Sequence, residues 1–150
     1  MEERFRMFTV LITKIGRDIR KIKTVEMQEF GLSNAHVSCL YYLHKEKALS
    51  AKELMDICLE DKASLSRAIA YLEDNGYLEC ETQAKKRYNS ALKLTQKGEE
   101  IASQIAINID KILDFVGEGL SEENRRTMYK SLMLVSDNLD KYCEKHGGEK

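Results

Sequence analysis

No proline occurs in the 150 residues of this chain. Proline interrupts helices more strongly than any other residue, and it is common in the turns of all-β proteins. Its absence therefore disfavours a loop-rich all-β fold and favours long, uninterrupted helices. At this length we expect one compact domain, or a small domain with a dimerising appendage.

Apolar residues recur at steps of three or four in three long segments, which places them on one face of a helix. The first stripe is long and narrow, as is typical of a seam for a partner helix. Together the three stripes exceed what one small domain can cover, so we predict an obligate homodimer. The segments are 3–28 (Phe5, Phe8, Ile12, Ile15, Ile19, Ile22), 96–117 (Ile101, Ile105, Ile109, Ile112, Val116) and 121–144 (Met128, Leu132, Val135, Leu139, Tyr142).

Charge nearly cancels over the whole chain but not within it. The net charge of −1 argues against a protein that coats nucleic acid with its whole surface. Residues 61–98 nevertheless hold seven basic and five acidic residues, a balance of +2, and a dimer would present that patch twice. The charged N-terminus does not read as an export signal, and no apolar run is long enough to span a bilayer. We therefore expect a cytoplasmic protein with no membrane partner.

Residues that cap helices occur at several points along the chain. Side-chain oxygens of Ser, Thr and Asp satisfy the free N–H groups at a helix start. These signals predict helices that begin at Ser33 (over 33–47), at the Ser50–Glu53 capping box, at Asp61 (over about 62–75), at Thr95 and at Ser121.

After Gly76 the periodicity changes from helical to alternating. Residues 77–81 and 91–94 have the composition of short strands, and the polar, basic segment 82–90 lies between them. This pattern predicts a hairpin with a charged tip that holds Lys85, Lys86 and Arg87.

A short helix, a turn, a second helix and a basic-tipped hairpin are the parts of a winged helix-turn-helix. Residues 54–78, LMDICLEDKASLSRAIAYLEDNGYL, resemble the MarR family of bacterial transcriptional regulators, and so does the strand-end sequence LTQKG at 94–98. The resemblance covers nearly the whole chain, because the long first helix and the last two helices match in length and order. It implies an all-α fold with a small β-hairpin wing. Residues 32–95 would form the winged helix-turn-helix, and 1–31 and 96–150 the dimerisation helices.

The resemblance also implies a function. A homodimer would bind a palindromic operator in double-stranded DNA and act as a repressor that a small aromatic or anionic effector releases. The effector cleft would lie between the dimerisation helices and the winged helix. Ile15, Ile19, Cys39 and Tyr42 are the residues that family geometry suggests for its lining.

The helix over 62–75 is the predicted recognition helix. Leu65, Ile69 and Leu72 are expected to face inward, leaving a small, polar and basic face for DNA bases and phosphates. With the hairpin tip, the predicted DNA-binding residues are Lys62, Ala63, Ser64, Ser66, Arg67, Tyr71, Lys85, Lys86 and Arg87.

The hairpin tip departs from the family pattern. The family's wing commonly carries Asp-x-Arg, in which the aspartate steadies an arginine that enters the minor groove. Counted back from Leu94 without gaps, Lys86 takes the aspartate position and Tyr88 the arginine position. A one-residue insertion would place Lys85 and Arg87 there instead. The aspartate is missing in either register, so we expect the wing to contact mainly phosphates.

The remaining chemistry favours no catalytic or metal function. The four cysteines form no CxxC pair, and the three histidines are scattered, so we predict structural thiols, no metal and no cofactor. No phosphate-binding loop or nucleophile motif is present, so an enzyme is not expected. The alternatives are a winged-helix module for protein contacts, a thiol-based redox-responsive regulator, and a small all-α enzyme or ligand carrier.

Overall fold

The computed structural model describes residues 2–58, 60–81 and 89–147. The apolar stripe over 3–28 predicts one continuous α-helix. The N-terminal region is helical, but not all of it is α-helical. An α-helical turn, Glu2–Phe5, leads into a π-helical turn, Arg6–Val10, and then into helix α1, Leu11–Met27. A π turn holds an extra residue, which rotates the following residues about the helix axis, and the spacing of apolar residues does not reveal it. A 3₁₀ turn, Gln28–Phe30, precedes Gly31, whose φ of +65° ends the helical region.

Three helices follow in the order that the capping signals predict. They are α2 (Asn34–Glu46), α3 (Ala51–Cys58) and α4 (Lys62–Asp74). Glu53 accepts hydrogen bonds from the backbone N–H of Ser50 at 2.7 Å and from its hydroxyl at 2.8 Å, and the Glu53 N–H donates to the Ser50 hydroxyl at 3.2 Å. The predicted capping box is therefore confirmed.

A small antiparallel sheet lies beside these helices. It contains β1 (Leu49–Ser50), β2 (Leu78–Cys80) and β3 (Ala91–Leu94), in the order β1-β3-β2. Leu92 pairs with Cys80 on one side and with Leu49 on the other. The hairpin strands are confirmed, but β1 was not predicted, because two residues are too few to show alternation. Its strand conformation depends on β3 as a partner.

The hydrophobic core lies between α2, α3, α4, the sheet and the first part of the next helix. Ala68 and Leu72 on α4 are buried, whereas Ile69, which was expected to face inward, is only partly buried. Helical geometry explains the difference, because Ala68 lies between Leu65 and Leu72 on the same face. The largest fully buried side chains are Val37, Cys39, Leu40, Leu43, Leu54, Leu72, Leu78 and Ile105.

Two helices complete the described chain: α5, Gln96–Val116, and α6, Glu122–His146. The Thr95 hydroxyl accepts from the Gly98 N–H at 3.1 Å and the Ser121 hydroxyl from the Asn124 N–H at 3.2 Å, as the predicted caps require. The chain separates into two units, Met1–Ile109 and Asp110–Lys150. None of the described helices is long and apolar enough to cross a membrane.

A polar contact within the first unit fixes the start of α5. Nδ1 of His44 lies 2.8 Å from Oε1 of Glu99, and Nζ of Lys47 donates to the same oxygen at 3.1 Å. Partial burial raises the pKa of Glu99, but these two neighbours outweigh it and hold that pKa below its usual value. The end of α2 is thereby tied to the first turn of α5.

Candidate nucleic-acid interface

Helix α4 presents a polar, basic face to solvent because its leucines and its isoleucine lie on the side that packs against the core. Leu65, Ala68 and Leu72 are buried on one side. On the other side Lys62, Ala63, Ser66 and Arg67 are exposed, Tyr71 is 40% exposed and Ser64 is half-buried. The structure therefore brings together on one helix the six predicted α4 residues.

Asp61 fixes the N-terminus of this helix. Its carboxylate accepts a hydrogen bond from the Ser64 N–H at 2.9 Å, and its carbonyl accepts from the Leu65 N–H at 3.0 Å. Hydrogen bonds from the side chain and backbone of Ser64 lower the pKa of Asp61, with a smaller contribution from the charge of Arg67. The first turn of α4 is thus fixed to Asp61 by one side-chain and one backbone hydrogen bond.

Arg67 is held by its neighbour one turn back. Its Nη2 donates to the Ser64 hydroxyl at 3.3 Å, which is a long and exposed hydrogen bond. A guanidinium offers five N–H groups, so this one bond to Ser64 leaves donors with which the side chain can bind a ligand. Its planar fork matches the O6 and N7 acceptors of guanine in a major groove.

Tyr71 packs against a residue that the sequence did not single out. Its ring stacks on that of His36 in α2, with centroids 4.4 Å apart and planes 22° from parallel. Nδ1 of His36 accepts a hydrogen bond from the Ser33 N–H at 3.0 Å, and burial lowers the pKa of His36. A neutral ring therefore caps α2 and supports Tyr71 at the same time.

A cleft of about 650 Å³ opens beside this stack. Arg20 from α1, Glu60 from the turn before α4, and Arg67 supply its charged lining. The sequence reasoning missed Arg20 and His36 as members of this surface. For His36 a signal existed, since it stands three residues after Ser33, at the position of the second member of a capping box. Arg20 carries no such signal, because only the packing of α1 on α2 places it there.

Strand β2 of the predicted wing contacts α4. Lys93 on the neighbouring strand β3 forms an ion pair with Glu81. The predicted tip residues Lys85, Lys86 and Arg87 lie outside the described residues. Their contact with DNA stays a prediction from the sequence.

The four predicted effector-pocket residues differ in accessibility. Ile15 and Ile19 on α1 are both 49% exposed, and Tyr42 on α2 is half-buried. Cys39 is fully buried and has no surface with which to line a pocket in this structure. The effector pocket itself stays a prediction. No group of three His, Cys, Asp or Glu side chains suited to a metal ion occurs among the described residues.

The arrangement of α3, α4, β2 and β3 defines a winged helix-turn-helix protein. The comparisons with known proteins agree: a model of the MarR family matches residues 30–87. The HTH-type transcriptional regulator BilQ of Clostridioides difficile is 26% identical over 111 residues, which cover 74% of this chain and 75% of BilQ.

Solved structures share the fold over most of both chains. One is a Listeria monocytogenes protein described as a MarR family transcriptional regulator and solved with a 26mer DNA; it is 24% identical, with a TM-score of 0.79 and 93% of each chain covered. Another is S. aureus MepR in its DNA-binding conformation, 17% identical, with a TM-score of 0.79, 88% of this chain and 98% of MepR covered. The chain is therefore similar to MarR-family proteins in sequence over residues 30–87 and in fold over most of its length.

Proposed function

We propose that this protein is a sequence-specific transcriptional regulator that binds double-stranded DNA through the exposed face of α4. The observation that carries the proposal is the outward face of Lys62, Ser66 and Arg67 on a helix that Asp61 caps and the core holds from behind. A helix presented in this way fits a major groove, where its first turns reach base edges. The Listeria relative solved with DNA supports the same use of the fold.

The acting form in this proposal is a homodimer on a palindromic operator. Large apolar side chains are exposed on α1 and, separately, on α6, where no residue is buried. Faces of this size on a single chain indicate an interface. We assign residues 1–31 and 96–150 to dimerisation and 32–95 to DNA binding.

The regulatory sign that we propose is repression relieved by a small aromatic or anionic effector in the cytoplasm. Two recognition helices must meet successive major grooves about 34 Å apart. A ligand that binds better to a dimer with another spacing would lower the affinity for DNA. Ile15, Ile19 and Tyr42 remain the proposed apolar part of that ligand's site.

Selection of bound genomic fragments by the purified protein, followed by sequencing, tests the proposal directly. The expected result is an enriched palindrome whose binding weakens steeply with salt, because each neutralised phosphate releases counterions. Unselective recovery with a flat salt dependence would instead favour the module for protein contacts. A promoter fused to a reporter then gives the sign of regulation.

A further inference from the structure

Two arginines without acidic partners line the cleft beside the stack of His36 and Tyr71. Arg20 reaches the cleft from α1 and Arg67 reaches it from α4. Within the described part of the chain, the guanidinium of Arg20 has no hydrogen bond or ion pair, and that of Arg67 has one long hydrogen bond. Both residues are exposed. Two cations are therefore available to a ligand in this cleft.

The charge along the cleft is positive on balance. Arg20 and Arg67 contribute one positive charge each, and Glu60 contributes one negative charge. Burial lowers the pKa of His36, so its ring is neutral at pH 7 and adds no charge. The start of α2 also lines the cleft, and the partial positive charge of a helix N-terminus favours an anion. The cleft is therefore suited to an anionic ligand.

Hydrogen bonds fix the backbone of Arg20 beside the start of α2. Nδ2 of Asn34 donates to the hydroxyl oxygen of Thr24 at 3.2 Å. The Thr24 hydroxyl in turn donates to the Arg20 carbonyl at 3.0 Å. Helix α1 also packs against α2. The backbone of Arg20 is therefore held at the cleft, while its guanidinium stays free to bind a ligand.

Helix α4 has different neighbours along its two edges. One edge borders the cleft through residues that include Arg67 and Tyr71. The other edge borders a smaller pocket beside the predicted wing, whose lining includes Ser66, Glu73 and Leu92. At 3.6 residues per turn, the two sets lie on opposite sides of the exposed face of α4. The cleft therefore lies on the edge of α4 that faces away from the wing.

The cleft continues the surface that we propose for DNA, because Arg67 and Tyr71 belong to both. A major groove is about 12 Å wide, and an α-helix with its side chains is about 10–12 Å across. A helix in that groove therefore has a phosphate backbone close to each edge. With the wing beside one backbone strand, the other strand would run over the cleft.

We propose that this cleft receives the DNA backbone that borders the groove entered by α4, and that Arg20 binds one of its phosphates. The inference rests on the proposed function, because it adds a second DNA-contacting surface to that of α4. Arg67 reads bases, whereas Arg20 fixes the register of α4 through the backbone. Each subunit of the proposed dimer supplies one such contact.

The test is a double-mutant cycle between the full-length protein and the selected operator. Operator phosphates are replaced, one symmetric pair at a time, by neutral methylphosphonates. At one pair we expect about tenfold weaker binding by the parent and no further loss by Arg20→Ala. Arg20→Ala should bind the unmodified operator about tenfold more weakly than the parent, with its base preference unchanged. Its slope of log affinity against log salt should flatten by about two units per dimer.

Matched variants separate a phosphate contact from a general loss of charge. Arg17→Ala removes the same charge from the same helix, but Arg17 lies outside the cleft lining and pairs with Asp18. It should respond to every methylphosphonate as the parent does. Arg20→Lys keeps the charge and should restore most of the affinity and the dependence on the same phosphate. Circular dichroism and light scattering check folding and oligomeric state.

The failures are distinguishable. An operator that the parent binds, but with no phosphate coupled to Arg20, overturns the proposal. If inorganic phosphate then stabilises the parent without DNA and fails to stabilise Arg20→Ala, the cleft holds a free anion instead. A parent protein that selects no operator contradicts the proposed function, and the inference falls with it.

Discussion

Arg67 is the residue on which the proposed reading of DNA bases depends most. It is exposed on α4 and is held by one long hydrogen bond from Nη2 to the Ser64 hydroxyl. We expect Arg67→Ala to weaken binding to the selected operator by about 1–3 kcal/mol and to relax its specificity at one position in each half-site. Competition binding against operators altered base by base measures both effects.

Arg126→Ala is a matched control, since Arg126 is also exposed but lies on α6, where it pairs with Glu122 at 3.1 Å. It should leave the base preference unchanged. Unaltered operator affinity in Arg67→Ala would show that α4 does not read bases through this side chain.

Gly98 is required by the close approach of two elements. A Cβ added at this position would lie 1.8 Å from the carbonyl oxygen of Tyr77, which also accepts a hydrogen bond from the Thr95 N–H at 3.1 Å. The carbonyl cannot move away without breaking that bond. We expect Gly98→Ala to lower the free energy of unfolding by about 3 kcal/mol.

Urea unfolding at one fixed protein concentration measures this decrease. Gly16→Ala provides the control, because nothing lies within 4 Å of an added Cβ at that position on α1. It should stabilise the protein by about 0.5–1 kcal/mol. Equal midpoints for the two variants would mean that the contact with Tyr77 relaxes freely.

At the scale of elements, helix starts were predictable because capping is local. Asp61, Thr95 and Ser121 each accept a hydrogen bond from an N–H three residues ahead, so the sequence contains both partners. The strand Leu49–Ser50 and the π turn Arg6–Val10 were missed, because a distant partner or a local change of winding decides them.

In the candidate site, too, local features were predictable from the sequence and contacts between distant elements were not. The outward face of α4 follows from helical spacing and was predicted residue by residue. The stack of His36 on Tyr71 joins two different helices, and no sequence spacing encodes such a contact. Sequence reasoning therefore found the outward face of α4 but missed the side chain that packs against it.

The cap of α4 gives this element a dependence on pH. The pKa of Asp61 is lower in the folded chain, so its ionised form stabilises the fold above the ordinary aspartate pKa. That contribution is lost as the pH falls through the folded value. We expect the midpoint of urea unfolding to fall more steeply in acid for the parent than for Asp61→Asn, which keeps a capping oxygen but does not titrate.

Urea unfolding of both proteins, measured from neutral pH to below the folded pKa of Asp61, gives the difference between their midpoints. This difference in midpoint should shrink toward the acid end. Glu3→Gln controls for the removal of one acidic charge, since Glu3 is exposed in the N-terminal turn Glu2–Phe5. A difference that stays constant with pH would contradict the role of the Asp61 carboxylate.

For the whole molecule, the exposed apolar face of α1 is the clearest reason to expect a dimer. Ile15 is 49% exposed on this helix. We expect Ile15→Glu to shift the protein from dimer to monomer at micromolar concentration, because a buried, unpaired carboxylate costs several kcal/mol. Light scattering coupled to size-exclusion chromatography measures the change.

Thr13→Glu places the same charge on the same helix, on a polar and exposed position two residues away. It should remain dimeric. A parent protein that is a folded monomer at that concentration would contradict the assignment of residues 1–31 to dimerisation.

In the proposed dimer, every phosphate that one subunit binds would have a counterpart bound by the other, so the dimer would also determine how salt acts on DNA binding. Lys85 and Lys86 lie on the basic segment that the sequence assigns to the wing tip. We expect Lys85→Ala/Lys86→Ala to weaken binding to all DNA sequences about equally. The slope of log affinity against log salt should flatten by about one unit for each phosphate that a subunit no longer neutralises.

The control for net charge is Lys130→Ala/Lys141→Ala, which removes two exposed lysines from α6. Its slope should stay close to that of the parent, since those lysines are not assigned to DNA. Equal flattening in both variants would mean that salt senses only the total charge of the dimer. A weaker base preference in Lys85→Ala/Lys86→Ala would show instead that the lysines read sequence, so the wing would share the role that we assign to α4.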